Sequence, residues 1–171
     1  MRAELDRLRR RLGLTLELIR EIEAEQAEQA TAAPDAAGQK ATALARLRGV
    51  GATFAAVLTR EVFTRHFDNR RQLGSHVGVA PMPHQSGTRD RDRRISRAGN
   101  PRARKALIQL AWLWLRYQPG SALAGWFLER VGVLAGRTRR IAIVAMASKL
   151  LVALWRYVET GVVPQGVELK A

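Results

Sequence analysis

Eight positions near the start of the chain constrain its fold more than any others. Leu5, Leu8, Leu12, Thr15, Ile19, Ile22, Gln26 and Gln29 follow one another in alternating steps of three and four. Only a helix brings such positions to one side, and the spacing is that of a heptad seam. The seam is apolar for three turns and then fades into alanine and glutamine, with glutamate and arginine filling the outside. Gly13 lies within it, at a cost of roughly 1 kcal/mol to the helix. A stripe like this is covered either by its own domain or in a coiled coil with another copy or another segment of chain. The unbroken register favours the coiled coil.

The rest of the chain divides around that helix. Residues 1–32 are expected to form it, and residues 33–42 a linker built on Pro34 and Gly38. A compact helical domain is expected over 43–161, with a frayed tail over 162–171. With 171 residues there is enough chain for one domain plus an appendage, and roughly two thirds of the extended surface is buried at that size. No apolar–polar alternation of strand type is visible, so the expected fold class is all-α. There is no cysteine, hence no disulfide and no thiolate metal site, and the three histidines form no helical metal pair. The N-terminus is charged and amphipathic, unlike a signal peptide. The apolar runs at 106–115 and 141–155 read as too short, or too interrupted by Ser148 and Lys149, to cross a membrane.

Charge narrows the function classes. The net charge is +14. Residues 1–40 hold seven basic and eight acidic side chains, so residues 41–171 hold 22 basic and seven acidic ones. Most of the cations are arginine, whose planar fork grips phosphate in a bidentate way. A nucleic-acid partner fits this balance. Between Ser86 and Lys105 the basic residues are Arg89, Arg91, Arg93, Arg94, Arg97, Arg102, Arg104 and Lys105, opposed by Asp90 and Asp92 alone. That stretch opens on Pro81 and Pro83, presents Gln85-Ser86-Gly87, and re-enters a helix at Asn100-Pro101, an N-cap followed by proline at the first helical position. Arg102, Arg104 and Lys105 in the first turn oppose the helix dipole, which favours an anion-binding role over a structural one. Arg137, Arg139 and Arg140 repeat the arrangement at a second helix start.

Upstream, a short helix meets Gly49-Val50-Gly51 and a second helix follows. This is the pattern of a helix-hairpin-helix, in which a tight turn frees backbone N–H groups for a phosphate. Arg46 and Arg48 flank it, with Gly49 and Gly51 as the turn residues. A plain helical corner has the same glycines. Asn69 is placed to cap a helix over 70–76. Core-facing stripes are expected at Leu107, Leu110, Ala111, Trp114 and Leu115, and at Ile141, Val144, Ala145, Ser148, Val152 and Trp155. Trp112, Trp114, Trp126 and Trp155 all lie on expected helices and read mainly as core.

Several of these blocks in their order carry a resemblance. They are the Leu47–Gly51 hairpin, Arg71-Gln72-Leu73 leading to Gly78-Val79-Ala80-Pro81, Gln85-Ser86-Gly87, Arg94-Ile95-Ser96-Arg97-Ala98-Gly99-Asn100, and Lys149 to Trp155. Over roughly 43–161 the chain resembles the C-terminal transposase domain of the IS110 family of bacterial insertion sequences, the IS116/IS902 type. The resemblance implies a serine recombinase guided by a structured bridge RNA that pairs with donor and target DNA, in the bacterial cytoplasm. It makes Ser86 the nucleophile joined to a DNA phosphate. It also implies an N-terminal RuvC-like domain whose acidic residues bind Mg2+. That domain is not recognisable here, so no cofactor is expected on this chain itself and Mg2+ is implied only for the missing domain. Recombination of two duplexes implies a homo-oligomer, a dimer or tetramer through the N-terminal helix.

A serine hydroxyl needs activation, and the charge developing on an attacked phosphodiester needs neutralisation. Arginines 89 to 97 are placed for the second task. His84 is either the group for the first or a surface histidine. The alternative to a catalytic role is a non-catalytic DNA- or RNA-binding module that oligomerises. A third reading is an assembly protein docking on a separate RuvC-like partner.

Overall fold

The computed structural model describes residues 2–32, 36–86, 89–96, 98–132 and 136–170. Helix α1 (Arg2–Ala32) leads into α2 (Ala36–Ala45) and α3 (Ala52–Leu58). A π-helical turn, Thr59–Phe63, continues α3, and α4 (Arg70–Val77) follows. Two strands come next, β1 (Pro81–Ser86) and β2 (Arg89–Ile95). Helices α5 (Pro101–Tyr117), α6 (Ala122–Val131) and α7 (Arg137–Thr160) complete the chain. The domain is all-α, as its periodicities imply, with a single two-stranded ribbon standing in the basic stretch.

The sequence signals for helix ends are realised in detail. Asn69 Oδ1 accepts from the N–H groups of Arg71 and Gln72, both at 3.0 Å. Asn100 Oδ1 accepts from Arg102 and Ala103 at 3.0 and 3.1 Å. Ser121 caps α6 and also accepts the indole N–H of buried Trp114 at 3.0 Å. Each cap satisfies N–H groups that have no partner within their own helix. Gly78 and Gly161, both left-handed, end α4 and α7.

The core is a single cluster. Leu44 and Leu47 from the α2 end meet Leu58, Val62 and Phe63 from α3 and its π turn. Leu107, Leu110 and Trp114 of α5 face Met146, Leu150, Leu151 and Leu154 of α7, all essentially inaccessible. The stripe expected on α5 is the buried one, with Leu115 partly covered. That on α7 is not. Its buried face is Ala142, Ile143, Met146, Ala147, Leu150, Leu151, Leu154 and Tyr157, whereas Ile141 is 61 % exposed. Helix α7 packs against α2, α4, α5 and α6, so it is apolar on most sides and its phase cannot be set by periodicity. By length and composition α7 is apolar enough to span a membrane, contrary to the sequence estimate. Its apolar face is instead occupied by the core, and Arg139, Arg140, Lys149 and Arg156 lie exposed on the remainder.

Two further segments depart from expectation. The presumed linker over 33–42 is helical from Ala36, anchored by Lys40, whose ammonium bonds the Phe63 carbonyl at 3.0 Å and pairs with Glu159 at 2.6 Å. The presumed frayed tail is docked, as described below. Helix α1, by contrast, stands apart: every residue from Arg2 to Glu25 is exposed, with Leu5, Leu8, Leu12, Ile19 and Ile22 between 45 % and 60 % accessible. Among the described residues nothing covers the apolar part of the heptad stripe, from Leu5 to Ile22.

Candidate nucleic-acid interface

The ribbon grows from a narrow neck. Gly78 and Gly99 lie back to back: a Cβ on Gly99 would fall on the Gly78 nitrogen and the His76 carbonyl, and one on Gly78 would meet the Gly99 nitrogen at 2.8 Å. Only two glycines let the two backbone segments approach so closely. The N–H of Asn100 donates to the His76 carbonyl at 2.8 Å, and that of Ser96 to the Ala80 carbonyl at 3.1 Å. Glu61 ties the neck to the π turn. Its carboxylate accepts from Asn100 Nδ2 at 2.7 Å and from Arg102 Nη1 at 3.3 Å, while its backbone carbonyl meets His76 Nε2 at 2.9 Å. Arg104 Nη1 reaches the Val77 carbonyl at 3.4 Å. Arg102 and Arg104 are thus partly engaged in holding the neck, and Lys105 beside them is exposed.

Beyond the neck, β1 and β2 pair antiparallel. Ser86 stands opposite Arg89, His84 opposite Arg91 and Met82 opposite Arg93; these alternate with Gln85 opposite Asp90 and Pro83 opposite Asp92. The register shifts between Pro81 and Met82, so that Pro81 pairs with Ile95 and Arg94 is passed over. Alternate register positions belong to opposite faces of a ribbon. By register, Ser86, His84, Arg89, Arg91 and Arg93 therefore share one face, and Gln85, Asp90 and Asp92 the other. Pro81 and Pro83, which lack an N–H, sit two apart on the same open edge, where proline is tolerated. The strand signal was present in the sequence as charge rather than hydrophobicity: Arg89-Asp90-Arg91-Asp92-Arg93 alternates with period two. Gly87 and Arg97 lie outside the described residues.

The turn over 46–51 is built for a different end. Gly49 is left-handed (φ 86°), and a Cβ there would meet Cβ of Tyr117 at 2.7 Å. Gly51, extended and exposed, precedes α3. The C-terminal segment lies along this turn. The N–H of Arg48 donates to the Glu168 carbonyl at 3.1 Å and the N–H of Lys170 to the Arg46 carbonyl at 2.7 Å. Gln118, 1 % exposed, donates to the Arg48 and Glu168 carbonyls at 2.8 Å each and accepts from the Glu168 N–H at 2.8 Å. Lys170 Nζ bonds the Val50 carbonyl at 2.8 Å, and the Arg48 guanidinium is paired with Glu168. Arg46 remains exposed, whereas Arg48 has an internal anion as its partner.

A third basic group surrounds two tryptophans. Arg137, Arg139 and Arg140 are exposed at the start of α7. Arg139 lies over the ring of Trp112, which is 37 % exposed, and Trp126 is only partly buried. Of the four tryptophans, Trp114 alone is fully enclosed. The reading of all four as core therefore fails for Trp112, whose spacing on its helix carries no signal of exposure, while Trp126 and Trp155 are partly buried and packed against the core.

Among the described residues no three His, Asp or Glu side chains converge as a divalent cation requires. Glu61 is committed to the neck and Asp68 faces His66. The carboxylates among the described residues do not form a donor set that fits Mg2+.

A protein-family model described as "Transposase IS116/IS110/IS902 family" matches residues 41–124. Two proteins of Sinorhizobium fredii are similar. "Putative transposase y4rJ" is 47 % identical over 178 aligned residues, covering 99 % of this chain and 45 % of that protein. "Putative transposase y4qE" is 36 % identical over 78 residues, covering 45 % of this chain and 20 % of the relative. The chain thus spans less than half the length of either.

Proposed function

The chain belongs, through residues 41–124, to the IS116/IS110/IS902 transposase family, and on that premise we propose that it is the DNA-engaging portion of a DNA transposase. The observation that carries the reading is the ribbon: Ser86 at the end of β1, in register with Arg89 and sharing a face with Arg91 and Arg93, on a neck fixed by Gly78, Gly99 and Glu61. Ser86 is the nucleophile. Its Oγ–P bond forms as one P–O bond of the DNA strand breaks, and the hydroxyl proton is balanced by the one taken up by the released deoxyribose oxygen. The arginines on the Ser86 face offset charge on the phosphate during the displacement. Arg46, Lys105, Arg137, Arg139 and Arg140 hold neighbouring phosphates, positioning the duplex. A guide RNA would meet the same cations through its own phosphates. Such an enzyme works where a bacterial chromosome lies, in the cytoplasm.

Oligomerisation belongs to the same proposal. The exposed stripe of α1 is satisfied by a second copy of the chain in a coiled coil, which brings two ribbons to two duplexes.

The test uses a labelled nicked duplex, with the remainder of a longer relative supplied as a separate polypeptide. A denaturation-resistant DNA–protein adduct is expected from the native sequence. It is expected to vanish in Ser86→Ala while duplex binding persists. If Ser86→Ala still forms the adduct, the serine assignment is wrong. If the native chain forms none but binds DNA with strong salt dependence, a non-catalytic binding module is the right reading. Salt-insensitive, weak binding overturns both.

A further inference from the structure

The chemistry of the α5–α6–α7 surface differs from that of the ribbon. Trp112 on α5 meets buried Phe127 edge-on, with ring centroids 6.4 Å apart. The Arg139 guanidinium lies 5.2 Å from the Trp112 ring centroid. Trp126 on α6 has Lys149 Nζ at 4.8 Å and the Arg130 guanidinium at 5.9 Å from its own. These three cations are exposed, and none is in an ion pair among the described residues. Counter-charge is scarce throughout: between Asp92 and Glu159 the sequence holds thirteen basic residues and one acidic residue, Glu129.

A cation over an indole keeps most of its charge available to solvent, because the ring quadrupole orients it without neutralising it. A duplex arriving here offers phosphates only, its bases being stacked on one another. An unpaired strand offers phosphates and the flat faces of its bases, and stacking on an aromatic ring strengthens its binding without sequence preference. Ten residues separate Arg139 from Lys149, roughly 15 Å along α7, enough for a few nucleotides. We propose that the Trp112–Trp126 surface binds an unpaired nucleic-acid segment, with bases on the indoles and phosphates on Arg130, Arg139 and Lys149. This rests on the reading of the chain as a nucleic-acid-handling protein, but not on Ser86 or the ribbon.

The test is fluorescence anisotropy on the full chain with three labelled probes: a twelve-nucleotide deoxythymidine strand, its uridine counterpart and a duplex of the same length. Trp112→Ala combined with Arg130→Glu and Lys149→Glu is expected to weaken single-strand binding about tenfold or more, with duplex affinity changed less than about threefold. Trp112→Phe, which keeps a ring, is expected to retain most of the single-strand affinity, and thermal melting verifies that each variant is folded. The deoxythymidine and uridine probes tell whether the segment is DNA or RNA. Unchanged single-strand binding overturns the proposal. So does an equal loss for all probes, which marks an unspecific electrostatic surface. If the native chain binds none of the three probes, the transposase reading itself fails, separately from the behaviour of the variants.

Discussion

The turn over 46–51 and the neck of the ribbon are assembled from the same parts, yet they leave their cations in opposite states. Each depends on glycine at a close approach: Gly49 against Tyr117, Gly78 against Gly99. In each, one carboxylate holds one arginine: Glu168 with Arg48, Glu61 with Arg102. At the turn the chain folds back on itself. The C-terminal segment takes up the carbonyls of Arg46 and Val50 and the N–H of Arg48, and Arg48 is drawn into the closure. At the neck the Glu61 carboxylate serves as a bracket between the π turn and the start of α5, and Lys105 beside it stays exposed. An arginine beside a glycine turn in sequence is therefore not an available arginine. Its availability depends on whether an acidic residue distant in sequence is folded onto it.

Substitutions at the two glycine contacts separate the regions most widely. Gly99→Ala puts a methyl group on backbone atoms that cannot swing aside, and a loss of about 3 kcal/mol is expected, read as a fall in melting temperature together with weakened duplex binding. Gly49→Ala meets a side chain and a left-handed backbone, with an expected loss of about 2 kcal/mol, and duplex binding of the folded fraction unchanged. If the two exchange order, or if Gly49→Ala impairs binding more, the turn and not the neck supports the interface.

The smallest effect is the most discriminating. Arg48 and Glu168 are both more than half exposed, so their pairing contributes little to stability, and Glu168→Ala is expected to shift it by less than about 0.5 kcal/mol. If Arg48 is thereby released to a phosphate, the slope of log affinity against log salt steepens by about one unit. No change in slope means that the turn lies away from the nucleic acid.

What could be read from the sequence and what could not follow from the range of the interactions. The caps at Asn69, Asn100 and Ser121 are local, a side chain bonding N–H groups two or three residues on, and they stand where the sequence puts them. Helix α1 is legible because its heptad spacing is local, although Leu14, Leu16 and Leu18 lie off the stripe and are exposed as well. Helix α7 is apolar on most sides, so its phase was misread. The ribbon escaped because its alternation is of arginine and aspartate, and a search for buried strands looks for alternation of apolar residues. The docking of the C-terminal segment depends on Gln118 and on partners 120 residues away, which no local pattern announces. Ser86 is proposed as a nucleophile on the resemblance of its surroundings, and the register adds which arginine positions share its face.

The π turn after α3 has a consequence for how this domain tolerates change. Thr64 N–H reaches back five residues to the Thr59 carbonyl at 3.0 Å, and the buried Thr59 hydroxyl has no partner among the described residues, although a threonine in a regular helix ordinarily returns its hydroxyl to the carbonyl four residues earlier. A wide turn of this kind amounts to one residue more than a regular helix needs. Glu61 lies inside it, and its aim toward Asn100 and Arg102 is set by how many residues α3 contains as much as by what they are. Deleting a single residue there would rotate the bracket about 100° around the helix axis and leave every amino acid of the ribbon in place but pointed elsewhere. The length of this helix is thus a variable in its own right: an insertion or deletion within it re-aims Glu61 even where every side chain is kept.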